Sequence, residues 1–334
     1  MNGGLVSAHS PATARKKTAE RRFFSWPAID QKQTDSDIAE KRSQDFKTGT
    51  RTASVIQAVF RVPLHASLVK GNSTRIMGVS IRNVIFKRNI PVRLLVPCMQ
   101  CFQELGRPTD EFSHVGFRDD GRYEIKCSLG HETATVLQQQ KFEVLFDIGA
   151  HAILDGYYRE AVSSFTSSLE RFYEFALRVF LEQASKSEEL FQNCWKKVAN
   201  QSERQLGAFV FLWASNFGES PELLSNPQVS FRNEVIHKGK IPTSEEAVRY
   251  GNSVLGVLRP KMLALREQFA EEVSKVTFYH LRDCRSDSDN GKTVSTISIS
   301  TIVSLTCGEI SHHTMSLEEH LIRLSEWRKI TGNS

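Results

Sequence analysis

Two groups of residues in this sequence have the types and spacings that could do chemistry. The first is Cys98-x2-Cys101 in VPCMQCF, followed by Cys127-x3-His131 in IKCSLGHE. Two close pairs of soft or borderline ligands, each at a tight turn and separated by a hairpin-sized insert, supply the four donors of a tetrahedral zinc. His114 is an alternative to His131 as the fourth ligand. The second group is Arg232, Asn233 and His237 in FRNEVIHKGK. An imidazole can take the proton from a ribose 2′-hydroxyl or return one to the leaving oxygen, and a guanidinium can stabilise the charge that builds on phosphorus. Asn233 could orient the imidazole or hold a phosphate oxygen. The trio suits cleavage of an RNA phosphodiester with no catalytic cofactor.

Geometry constrains both groups. On a helix Asn233 and His237 lie within about 40° of each other, whereas Arg232 and His237 are about 140° apart. Arg232 must therefore curl round the helix, or a second copy must complete the site, and a homodimer cleft is expected. For the metal, no Glu is placed beside the cysteines to act as a base, so a structural zinc is expected rather than a catalytic one. Over residues 93–136 the chain resembles zinc ribbons, with Asp120-Gly121 read as the hairpin turn between Val115–Phe117 and Arg122–Lys126.

The elements that must position these groups follow from pattern. Residues 1–52 are polar and lack an apolar period, which predicts a disordered tail carrying a basic cluster, Arg15–Lys17 and Arg21–Arg22. Residues 53–140 contain short β-prone runs and the ribbon. Residues 141–276 are helical in period: Phe142–Leu154, Tyr157–Leu181, a region from Glu188 to Phe217 broken near Gln201–Gln205, the short Val229–Lys238 helix, and a helix from Thr243 to Val276. Gly239 is placed to close the short helix in the left-handed conformation, Thr243 and Glu246 form a capping box, and Pro260 predicts a kink. Five helices are expected to pack as a bundle with the Arg232 helix inside it. Residues 277–334 read as a β-hairpin, VTFYHLRD with TVSTISISTIVSL, and a terminal helix Ser316–Ile330, with His312 and His313 as polar loop residues. The fold class is α+β.

Composition permits this reading. The chain has 334 residues, 40% hydrophobic and 24% charged, with a formal charge of +5 that tolerates RNA as a partner without requiring it. No apolar run is long enough to span a membrane and no export signal is visible, so the expected address is cytoplasmic. In that setting clustered cysteines point to metal rather than disulfides.

The stretch Arg232-Asn233-Glu234-Val235-Ile236-His237-Lys238-Gly239, set between amphipathic helices, resembles the HEPN family (higher eukaryotes and prokaryotes nucleotide-binding domain) over about residues 141–275. The resemblance implies a helical bundle that dimerises and, in many members, a metal-independent ribonuclease of toxin, antiphage or RNA-processing systems. It implies Arg232 and His237 as the catalytic pair with Asn233 beside the arginine, and an antitoxin or defence-system partner. Other members have lost activity and act as scaffolds or RNA binders, which leaves a non-catalytic interaction module as the alternative.

Overall fold

A computed structural model describes Gln57–Ala58 and residues 93–106, 112–284 and 292–331, all within one unit, Val55–Ser334. The expected tail, its basic cluster and most of the β-prone runs before residue 93 lie outside the described residues.

The strands form two small sheets. β1 is Gln57–Ala58, β2 is Arg93–Pro97, β3 is Phe112–Gly116, β4 is Arg122–Lys126, β5 is Glu132–Leu137 and β6 is Thr293–Ile297. β2 and β3 pair antiparallel, with Leu95 opposite His114, and the helix α1 (Met99–Leu105) lies between them in the chain. β4 and β5 form an antiparallel hairpin, and β6 runs parallel to β5 with β1 on its other side. β5 is buried from Thr133 to Leu137, as befits a strand paired on both sides.

Two expectations about this region are corrected. The turn at Asp120-Gly121 does not make a hairpin: β3 pairs with β2 and β4 pairs with β5, so the turn passes between two sheets. The C-terminal hairpin is also absent. VTFYHLRD belongs to a helix, because Phe269, Val273 and Val276 recur at helical spacing on a buried face. TVSTI is a single strand whose partner, β5, lies about 160 residues earlier, which no local pattern announces.

The helices are α2 (Lys141–Leu154), α3 (Tyr158–Ser185), α4 (Glu188–Val198), α5 (Ser202–Phe217), α6 (Asn226–His237), α7 (Ser244–Gln268), α8 (Ala270–Asp283), α9 (Ile310–Thr314) and α10 (Leu317–Thr331). α3 is the hub, packed against α2, α5, α6, α7 and α8. Its Phe165, Phe172 and Phe180 are buried along one stripe, as the spacings of seven and eight require. Phe172 meets Phe142 edge-on with centroids 5.4 Å apart, and Tyr173 lies 4.5 Å from Phe209. α7 runs through Pro260 and ends at Gln268; the break falls at Phe269 (φ −125°, ψ 41°), nine residues beyond the expected kink.

Phe165 packs against a glycine of each neighbouring helix, Gly149 of α2 and Gly251 of α7. A Cβ at Gly149 would lie 2.6 Å from its Cε1, and one at Gly251 would lie 2.8 Å from its Cε2 and closer still to Leu317 Cδ2. Only glycine fits at these two crossings.

The segment after β6 is fastened by buried polar groups. Glu143 accepts the N–H of Leu305 (2.9 Å) and of Gln140 (2.8 Å), and Asp147 accepts that of Ile302 (2.9 Å). Burial pushes Glu143 up to about 8, against the lowering effect of the Leu305 and Gln140 N–H groups, and pushes Asp147 up to about 7. Farther along, buried Arg259 donates to the carbonyls of His313 (2.9 Å) and Met315 (2.8 Å) and faces His320 Nε2 at 3.1 Å. His320 must accept there, so it is held neutral; burial, His312 and Arg259 lower it to about 3. His312, expected in a polar loop, is buried on α9 and donates toward the carbonyls of Thr301 and Ile302.

Candidate functional site

The first candidate site lies where β2 runs into α1 and where β4 turns into β5. Cys98 caps α1 and Cys101 lies one turn on, with the Phe102 N–H bonded to the Cys98 carbonyl at 3.2 Å. Cys127 and His131 bracket a tight turn closed by Gly130 N–H to the Cys127 carbonyl (2.9 Å) and Cys127 N–H to the His131 carbonyl (3.1 Å). Gly130 takes φ +86°, a left-handed conformation that favours glycine.

One ligand atom from each of Cys98, Cys101, Cys127 and His131 lies within 4.8 Å of all the others, and the three cysteines are buried. Bonds of the usual lengths at a tetrahedral zinc would put sulfurs about 3.8 Å apart and sulfur and nitrogen about 3.6 Å apart. Cys101 and Cys127 Sγ are 3.7 Å apart, and His131 Nδ1 is 3.2 Å from Cys101 Sγ and 3.9 Å from Cys98 Sγ. These three separations lie within about 0.4 Å of the tetrahedral values, so the four donors are close enough to share one metal ion. Burial, then the neighbouring Cys98 and Cys127, pushes the Cys101 thiol up to about 12. Clustered thiolates gain from a cation among them, and the group can bind a metal. Cys127 is held below the usual thiol value: burial raises it, but the His131 N–H, the Cys101 thiol and the Leu129 N–H outweigh that. His114 is exposed on β3 and is not among these ligands. On the far side of the ring, His131 Nε2 lies 3.4 Å from Glu104 Oε2.

The second candidate site is on α6. Ser225 and Gln228 form a capping box and Pro227 occupies the first turn, so the helix starts sharply. It ends at Gly239, φ +74°, with the Lys240 N–H returning to the Glu234 carbonyl at 3.1 Å. Lys240 then pairs with Glu246 (2.9 Å) and lies 4.8 Å over the Phe231 ring. Thr243 and Glu246 form the expected capping box of α7.

Val235 is the fully buried residue of α6, so the helix lies on the outside of the bundle rather than within it. Arg232 Nη1 donates to Asn233 Oδ1 at 2.9 Å and its Nη2 to Glu170 Oε1 of α3, also at 2.9 Å. Arg232 and Asn233 are therefore brought together. His237 is exposed at the end of the helix, and no hydrogen bond or ion pair joins it to either. Tyr250 lines the inner side, bonded to Thr166 at 2.9 Å and 5.6 Å from Phe231; burial raises its phenol, and Arg232 opposes that shift.

Sequence reasoning missed Glu170, Tyr250 and Glu104. The first two sit on helices read only for their apolar stripes, and an acid on the flank of the α3 stripe next to Leu169 was the available signal. Neither a family model, nor a curated protein, nor a solved structure matches the chain. No helix among the described residues is long and apolar enough to cross a membrane.

Proposed function

We propose that the protein is a HEPN-like, metal-independent endoribonuclease of toxin or antiphage type, in which Arg232 and His237 supply the chemistry and the Cys3His group is a structural zinc centre. The observation that carries the reading is Arg232 turned onto Asn233 while Asn233 and His237 share the outer side of an accessible helix. His237 exchanges the proton with the 2′-hydroxyl or leaving oxygen, Arg232 meets the charge developing on phosphorus, and Asn233 holds the guanidinium in place. Because His237 stands apart from Arg232, a second copy completes the cleft, and an antitoxin or defence-system protein is the partner that would hold it silent.

The Arg232–Glu170 pair favours a second reading, a non-catalytic RNA-binding or interaction module, since a carboxylate already occupies the guanidinium. Total cellular RNA incubated with the purified protein and excess chelator separates the two. Cleavage that disappears in His237→Ala and Arg232→Ala supports the nuclease; cleavage that persists in His237→Ala defeats it.

A further inference from the structure

We infer that Glu104 is a positioning residue of the Cys3His centre: its carboxylate, 3.4 Å from His131 Nε2, takes the Nε2–H when a metal is bound and thereby presents the Nδ1 lone pair to the metal. The inference rests on reading that group as a metal centre and names the hydrogen-bond system that sets its fourth ligand. Three observations carry it. The nitrogen facing the thiols is Nδ1, 3.2 Å from Cys101 Sγ, whereas Nε2 points away and lies 3.4 Å from Glu104 Oε2. An imidazole that ligates through one nitrogen carries its proton on the other, and a carboxylate is the acceptor that most favours that tautomer.

Glu104 is itself held. Gln100, one turn earlier on α1, donates its Nε2–H to Glu104 Oε1 at 2.8 Å. The Gln100 Oε1 accepts the hydroxyl of Thr293 on β6. With its oxygen accepting from Thr293, the amide must offer its nitrogen to Glu104, so the relay fixes one orientation. A chain of side chains thus runs from β6 through Gln100 and Glu104 to His131, and the carboxylate reaches the imidazole from a fixed position although Glu104 is half exposed.

The test uses the full chain and zinc itself, with affinity read by competition against a chromophoric chelator. Glu104→Ala weakens zinc binding by about 10- to 100-fold. Glu104→Gln, which keeps an acceptor oxygen, restores most of that loss. In a His131→Cys background the centre has no imidazole to orient, and adding Glu104→Ala leaves the affinity unchanged. Equal losses in both backgrounds would show that Glu104 acts by stabilising α1 and would overturn the inference, as would undiminished affinity in Glu104→Ala. Long-range proton–nitrogen correlation of the zinc-loaded chain should show His131 protonated at Nε2; protonation at Nδ1 overturns the assignment. A parent chain that takes up no stoichiometric zinc defeats the metal-centre reading and this inference with it, a result distinct from normal uptake that is indifferent to Glu104.

Discussion

Arg232 Nη2 lies 2.9 Å from Glu170 Oε1, so the arginine of α6 is paired with a carboxylate that α3 delivers from 62 residues upstream. A planar fork that spans Asn233 and Glu170 at once cannot be copied by the single ammonium of lysine. On the proposed ribonuclease reading, Arg232→Lys should therefore lower RNA cleavage by about 100-fold, close to the cost of losing a transition-state donor. Glu170→Gln, which keeps the shape and removes the charge, should lower turnover by less and leave apparent substrate affinity nearly unchanged. Single-turnover cleavage at varied enzyme concentration measures both quantities.

Removal of one ligand tests the metal centre. Cys127→Ala should bring bound metal below one equivalent by elemental analysis. The segment it anchors is small, and the cluster of Leu94, Val96, Tyr123 and Ile125 offers a limited core. Chelator treatment of the parent should accordingly raise hydrogen exchange in β2 to β5 first, while α3 stays protected.

Gly251→Ala should destabilise the fold by about 1–3 kcal/mol through overpacking against Phe165 and Leu317. Leu317→Ala in the same chain should recover part of the loss, because the added methyl then has room. Denaturant midpoints of the two singles and the double measure this coupling.

Stability should fall as the solution becomes alkaline. Glu143 titrates near 8 when folded and at the usual carboxylate value when unfolded, so the folded chain binds the extra proton between those limits. Its contribution is fully present below the unfolded value and is lost as pH rises through about 8. Asp147 acts in the same direction up to about 7. Glu143→Gln should flatten the melting temperature between pH 5 and pH 8, and an unchanged slope would contradict the assignment.

The acid side has a different origin. His320 is lowered to about 3 by burial, His312 and Arg259, so its contribution is present above the ordinary histidine value and is lost as pH falls toward 3. His320→Gln, which can still accept from Arg259, should make the acid limb of the melting curve shallower.

What the sequence made legible was whatever a few neighbouring residues decide. The Thr243–Glu246 box, the left-handed Gly239 and the stripe of α3 each depend on contacts within one or two turns, and each was read at its place. The clustering of Cys98, Cys101, Cys127 and His131 could be read for the same reason, since each pair is set by one tight turn; that His114 stays outside the cluster follows from the β2–β3 register, which puts it opposite Leu95. Long-range pairings were not legible. β-branched alternation in TVSTI predicts a strand but not that its neighbour is β5, and the supposed hairpin partner turned out to complete α8. Glu170 was invisible as a site residue because only the packing of α6 on α3 gives it Arg232.

The place of β6 between β1 and β5 also sets the order in which the chain can be finished. The β4–β5 hairpin leaves the ribosome long before Thr293 does, with one edge of β5 still lacking its partner. The helices α2 to α8 must emerge in the interval, and the sheet closes only when β6, Thr293–Ile297, arrives. A message truncated after α8 would therefore yield a nascent product with an open, apolar strand edge, a substrate for chaperones and proteases rather than a smaller working version of the protein.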